Sequence, residues 1–83
     1  MNLEELTRYI DKKIAQDENK VVIGFYELKV KRDLTDEEVL SVLSLISTRL
    51  QNMGYKVYKS GQRYTYRQKE YIVETNELLV GIK

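Results

Sequence analysis

The sequence predicts an α+β fold, a two-layer sandwich in which two helices pack on one face of a mostly antiparallel sheet of four to five strands, in the order α-β-α-β-β-β-β. Three observations lead to it. Two stretches repeat apolar residues with helical spacing, one alternates with the period of a strand, and the C-terminal part breaks into short alternating runs separated by turn formers. All of it fits one domain, residues 1–83, with no repeat, linker or low-complexity segment to divide it.

The first helix is expected over residues 2–18. Asn2 is placed to cap it and Glu5 to close a capping box, while Leu3, Leu6, Ile10 and Ile14 form a narrow apolar stripe with Tyr9 at its edge. Glu4, Arg8, Asp11 and Lys12 mix charge signs on the other face, which suits a helix lying on a sheet better than one lying on a membrane. Gln16-Asp17-Glu18-Asn19 then breaks the pattern.

Residues 20–32 read as the clearest strand. Val22, Tyr26, Leu28 and Val30 share one side and are expected to face the helices. Val21, Ile23 and Phe25 share the other side, followed by Glu27, Lys29 and Lys31. The opening of this strand is therefore apolar on both sides. Gly24 here and Gly81 near the C-terminus fall inside strands, where glycine marks a bulge or a close approach.

Residues 34–55 form the central helix. Thr35 is its N-cap, Glu38 completes a capping box, and Leu34 and Val39 are spaced for a hydrophobic staple. Asp36, Glu37 and Glu38 put negative charge at the positive end of the helix dipole. Gly54 suits the left-handed position that ends a helix, with Leu50 and Tyr55 placed for the accompanying contact. Val39, Val42, Leu43, Ile46, Leu50 and Met53 fall within an arc of roughly 100°. Leu40 and Leu45 flank that arc, so the helix is expected to touch more than one neighbour. The crossover from the first strand through this helix allows one parallel strand pair.

For the tail, Ser60-Gly61, Gln68-Lys69 and Asn76-Glu77 are taken as two-residue hairpin turns. Val57 then pairs with Tyr64, Tyr66 with Tyr71, Tyr64 with Val73, and Val73 with Val80. One face collects Tyr55, Val57, Tyr64, Tyr66, Tyr71, Val73, Leu78, Val80 and Ile82, nearly all apolar or aromatic. The other collects Lys56, Tyr58, Arg63, Thr65, Arg67, Glu70, Ile72, Glu74 and Leu79. Independent turns that yield a single apolar face predict a meander. Gln68-Lys69 is the weakest turn chemically, which leaves its register open by a residue or two.

Composition bounds function by exclusion. The chain has no cysteine and no histidine, which removes the usual zinc ligands and the common nucleophile–base pairs. There is no Gly-rich phosphate loop and no EF-hand pattern. Asp33, Asp36, Glu37 and Glu38 form an acidic group, but helix capping accounts for all of them except Asp33. No catalytic residue, metal, cofactor or small-molecule ligand is expected, and the chain reads as non-enzymatic. Its net charge of +1 argues neither for nor against a polyanionic partner. No apolar run approaches the ~18 residues of a membrane span. The opening Met-Asn-Leu-Glu-Glu-Leu lacks the regions of a signal peptide, so a soluble cytoplasmic protein is expected. Heavy use of Lys, Glu, Ile, Asn and Tyr without proline points to an AT-rich genome, bacterial or phage.

Two surfaces stand out. Val21, Ile23 and Phe25, with Ile72 and Leu79 from the tail, are expected on the far face of the sheet as an apolar patch. That patch predicts a small protein–protein interaction module, self-associating as a homodimer or binding another protein. The competing arrangement has one helix cross over and turn these residues into core. The alternative function is single-stranded nucleic-acid binding by the basic, tyrosine-containing hairpin at 56–69, with Lys56, Arg63 and Arg67 on phosphates and Tyr58 stacking on a base. The same pairing sets Arg63 opposite Glu74 and Arg67 opposite Glu70, so a partly neutralised, solvated hairpin face is the simpler reading. The element order differs from that of a double-stranded-RNA-binding domain, and the chain lacks the loop of KH domains and the aromatic motif of RRM domains.

Overall fold

The computed structural model describes residues 2–83 and has the expected class, two main helices packed against antiparallel β-structure of five strands. The elements are α1 (Leu3–Gln16), β1 (Lys20–Gly24), a π-helical turn (Tyr26–Val30), α2 (Asp36–Asn52), β2 (Lys56–Lys59), β3 (Arg63–Tyr66), β4 (Lys69–Ile72) and β5 (Glu77–Ile82).

Both helices begin where their caps place them. The Glu5 amide donates to Asn2 Oδ1 at 2.8 Å at the head of α1. At the head of α2 the capping box is complete: the Glu38 amide donates to Thr35 Oγ1 at 3.2 Å, and the Thr35 amide donates to Glu38 Oε1 at 3.0 Å. These bonds to Thr35 hold the Glu38 carboxyl below its usual pKa. α2 ends as a Schellman motif. The Tyr55 amide bonds the Leu50 carbonyl, the Gly54 amide bonds that of Gln51, and Gly54 takes φ +93°. Val39, Val42, Ile46 and Leu50 are buried along the expected stripe and Leu43 is half-buried. The flanking Leu40 and Leu45 are exposed rather than packed on second neighbours.

The strand expected over 20–32 stops at Gly24. A bulge separates Ile23 from Gly24, the Phe25 amide donates to the Asn76 carbonyl, and the chain enters a π turn closed by the Lys31 amide on the Tyr26 carbonyl. The cause lies in the partner strand. β5 begins at Glu77, so beyond Gly24 there is no ladder to join, and the backbone satisfies itself helically. The alternation of Tyr26, Leu28 and Val30 imitates a strand, yet only Leu28 is buried.

That turn also inverts the faces of β1. A continuous strand must put Val22 on the side of Leu28. Once the chain turns at Phe25, Leu28 reaches the core independently and the parity of β1 is released. Val21 and Ile23 therefore face the helices, and Val22 faces away.

The C-terminal strands do not form a meander. β5 is the central strand of a three-stranded sheet, order β1-β5-β2, and pairs antiparallel with both neighbours. The Leu-Leu-Val-Gly-Ile run within it is the most apolar of the short strands and suits a position covered on both faces. Because β5 separates β1 from β2, the expected parallel pair does not form. Gly81 marks a close approach, since a Cβ there would lie 3.2 Å from Leu50 Cδ1.

β3 and β4 form a separate hairpin that folds over the sheet face opposite the helices. Ser60-Gly61 does turn the chain, with Gly61 at φ +86°, but the hairpin then leaves the plane of β2. The Gln68-Lys69 turn moves to Arg67-Gln68, both left-handed at φ 52° and 65°. Tyr64 consequently pairs with Tyr71, and Tyr66 with Lys69. Tyr66 shifts its partner from Tyr71 to Lys69, an even step that preserves the faces, so Tyr64, Tyr66 and Tyr71 still lie together. The single apolar face expected of the tail is divided: Tyr55 and Val57 pack under the helices, while Tyr64, Val73 and Val80 are buried beneath the hairpin.

Candidate functional site

The fold corrects the proposed far-face patch. Val21, Ile23 and Leu79 are at most 1% exposed and belong to the core beneath the helices, for the parity reason given above. Phe25 and Ile72 remain exposed, at 43% and 48%, but one sits at the entry to the π turn and the other on β4. The five residues do not form one surface. It is the hairpin, not a helix, that covers the opposite face.

The nucleic-acid candidates are partly brought together. Lys56, Tyr58 and Arg63 line one groove of about 490 Å³ with Lys83, where β2 meets the hairpin. Tyr58 is half-buried with its ring 5.6 Å from that of Tyr64, so only part of it is free to stack. Arg63 makes an exposed ion pair with Glu70 at 3.7 Å, a diagonal partner rather than the expected Glu74. Arg67 occupies the tip of the hairpin, its guanidinium 5.0 Å from the Tyr66 ring, and does not line the groove.

A second apolar surface lies between the helices. Leu3 on α1, Leu45 on α2 and Met53 at the C-cap of α2 are 71%, 51% and 38% exposed, and they border a groove of about 370 Å³ with Leu6 at its base. Thr7, Ser44, Thr48 and Asn52 complete most of the lining with short uncharged side chains. Arg49 is the one charged residue there, and it pairs with Asp11 of α1 at 3.7 Å. Leu45 is legible in the sequence as a flank of the α2 stripe. Leu3 is not, because it counts as part of the α1 stripe until the crossing of the two helices is known.

The most polar cluster joins α1 to the π turn. Glu27 accepts from Tyr9 Oη at 2.6 Å, from Lys13 Nζ at 2.7 Å and, more weakly, from the Gly24 amide at 3.4 Å. Partial burial pushes the Glu27 carboxyl up, but these donors outweigh it and hold it below its usual pKa. Burial and the bond to Glu27 push the Tyr9 hydroxyl strongly upward, so it is a fixed donor. Strand periodicity had assigned Glu27 to a solvent-facing position; only the π turn aims it at α1. The acidic residues at the head of α2 serve local roles: Glu38 closes the cap and Asp36 pairs with Lys29 at 2.9 Å.

Among the described residues, no helix is long and apolar enough to cross a membrane. Comparison with protein-family models, with curated proteins and with solved structures finds no significant match to the chain.

Proposed function

We propose that this chain is a small, non-enzymatic interaction module that self-associates through the groove between α1 and α2. The supporting observation is the exposure of Leu3, Leu45 and Met53 around a lining that carries no unpaired charge. A two-fold contact places each patch against its own copy, so a charged patch repels itself and a neutral one does not. The short side chains of Thr7, Ser44 and Thr48 allow the helices of two copies to approach closely. A chain of 83 residues also has a thin core that a second copy would extend. The proposal retains the cytoplasmic location expected from the sequence.

Magnitudes set the expected strength. Completing the burial of three half-exposed apolar side chains on each of two copies yields about 5–10 kcal/mol. Association costs about 4 kcal/mol or more in lost freedom, so the dimer should be of micromolar or weaker affinity. Sedimentation over a concentration series should show a reversible monomer–dimer equilibrium. Leu45→Asp should shift it to monomer with an unchanged circular-dichroism spectrum, since Leu45 is exposed in the monomer. A wild-type chain that stays monomeric at high concentration would refute the proposal.

A second reading, single-stranded nucleic-acid binding, is supported by the convergence of Lys56, Tyr58 and Arg63 on one groove. Titration with labelled single strands should then show affinity that falls with salt and is reduced by Lys56→Gln and Arg63→Gln. Absence of binding at low salt would remove this reading.

A further inference from the structure

The cleft walled by the end of α1 and the π turn concentrates positive charge in a protein that is otherwise balanced. Lys12, Lys13, Lys31 and Arg32 line it, against the single carboxylate of Glu27, in a cleft of about 460 Å³. The whole chain has 14 basic and 13 acidic residues, so this local excess does not follow from general basicity.

Glu27 does not neutralise that excess. Its oxygens accept from Tyr9 and Lys13, and its charge is matched by the Lys13 ammonium at 2.6 Å. Lys12, Lys31 and Arg32 are left without a carboxylate within ion-pair distance among the described residues, whereas Lys29 beside them has Asp36. Arg32 is also oriented: its guanidinium lies 4.7 Å from the centre of the Tyr9 ring, and that ring is fixed by the bond to Glu27.

The backbone that carries Lys31 and Arg32 is a second, independent observation. Between Ile23 and Asp33 the chain has a β-bulge at Ile23/Gly24, a π turn over Tyr26–Val30, and a left-handed Asp33 at φ 53°. π-helical turns are rare and occur frequently at functional sites; Asp33, a residue type that tolerates the left-handed conformation, ends this one with its amide on the Val30 carbonyl. These irregularities together bring Lys31 and Arg32 back against α1. An extended strand over 20–32 would carry them away from Lys12.

From this geometry we infer that the cleft binds a small, multiply charged phosphate anion. The planar fork of Arg32 and the two flexible ammonium groups of Lys12 and Lys31 suit several oxygens of a polyphosphate, and one carboxylate has too few oxygens to engage all three. Tyr9 and Glu27 form the floor and take no part in contacting the ligand, because their hydrogen-bonding groups are already used by each other and by Lys13. The charge could come from inorganic pyrophosphate or from the diphosphate of a nucleotide; the phosphate chemistry is the same.

The test is a calorimetric and NMR titration of the full chain with inorganic pyrophosphate at low salt, with ADP and sulfate in parallel. The expected result is saturable binding of pyrophosphate, stronger than that of sulfate and weakened by added salt, with amide shifts centred on Lys12, Lys31 and Arg32. Arg32→Gln should weaken it about tenfold, the equivalent of one charge-assisted hydrogen bond. Arg32 is exposed, so its replacement should leave the thermal melt unchanged, and a matching melt establishes that the variant is folded. Lys69→Gln, exposed on the hairpin and lining neither the cleft nor the groove at Lys56, should bind as the wild type does. ADP binding as tightly as pyrophosphate identifies the phosphates alone as the ligand, and tighter ADP binding identifies a nucleotide. No saturation, equal binding of sulfate, or equal loss in Arg32→Gln and Lys69→Gln would overturn the inference.

Discussion

On one side of the β1-β5-β2 sheet, Val21, Ile23 and Leu79 meet Ile10, Leu28, Ile46 and Leu50, and none of these is more than 1% exposed. On the other side, Tyr64, Val73 and Val80 are buried, with Val22, Tyr58, Tyr66 and Ile82 only partly covered. The first face is closed by two helices with aliphatic side chains. The second is closed by a two-stranded hairpin whose rings surround a cation: Lys20 Nζ lies 5.2, 5.1 and 4.7 Å from the centres of Tyr64, Tyr66 and Tyr71. A two-stranded hairpin is not stable alone, so it depends on the face it covers. The helix side should therefore govern global unfolding, while the hairpin side opens locally.

The largest test of that contrast is Ile46→Ala. It empties the centre of the α2 stripe and should cost about 2–5 kcal/mol, against a smaller loss for the half-buried Leu43→Ala. Denaturant melts with Leu43→Ala the worse of the two would misplace the centre of the core.

Tyr64→Leu comes next. It retains apolar bulk but removes the stacked contact with Tyr71, at 5.4 Å between ring centres, and one wall around Lys20. The expected cost is about 1–2 kcal/mol. Native-state hydrogen exchange should show faster exchange in β3 and β4 with protection kept in β1. Equal acceleration in both would mean that the hairpin unfolds only with the whole. Lys20→Met, which keeps the stem and deletes the charge, should cost about 1 kcal/mol by the same localised route.

The smallest effect separates the faces by pH. The donors around Glu27 hold its carboxyl below its usual pKa in the folded protein, so its contribution is present above the unfolded value and lost as pH falls through the lower folded one. Acid should loosen the contact between α1 and the π turn. The Lys20–tyrosine contact meets one carboxylate, Asp17, which accepts from Tyr66 Oη at a long 3.4 Å and makes no ion pair with Lys20. Stability measured across the acid range should thus decline less in Glu27→Gln than in the wild type, while Lys20→Met should decline as the wild type does. A Glu27→Gln profile parallel to that of the wild type would remove Glu27 from the acid response.

What could be read from the sequence alone was local. The capping box at Thr35 and Glu38, the Schellman end at Gly54, and the buried stripe of Val39, Val42, Ile46 and Leu50 depend on neighbours within a few residues, and all formed as the spacing predicts. The even register step in the hairpin kept Tyr64, Tyr66 and Tyr71 together, since side-chain parity survives any shift of two. Tertiary structure decided everything that needed a partner from afar. β5 took the centre of the sheet and ended opposite Gly24, which turned Phe25 out of the strand and reversed the faces of Val21 and Val22. The inter-helix groove and the basic cleft exist only because α1 crosses α2 and the π turn returns Arg32 to Tyr9. Alternation shows that a strand has two faces; which of them meets the helices is set by where its partner strand begins and ends.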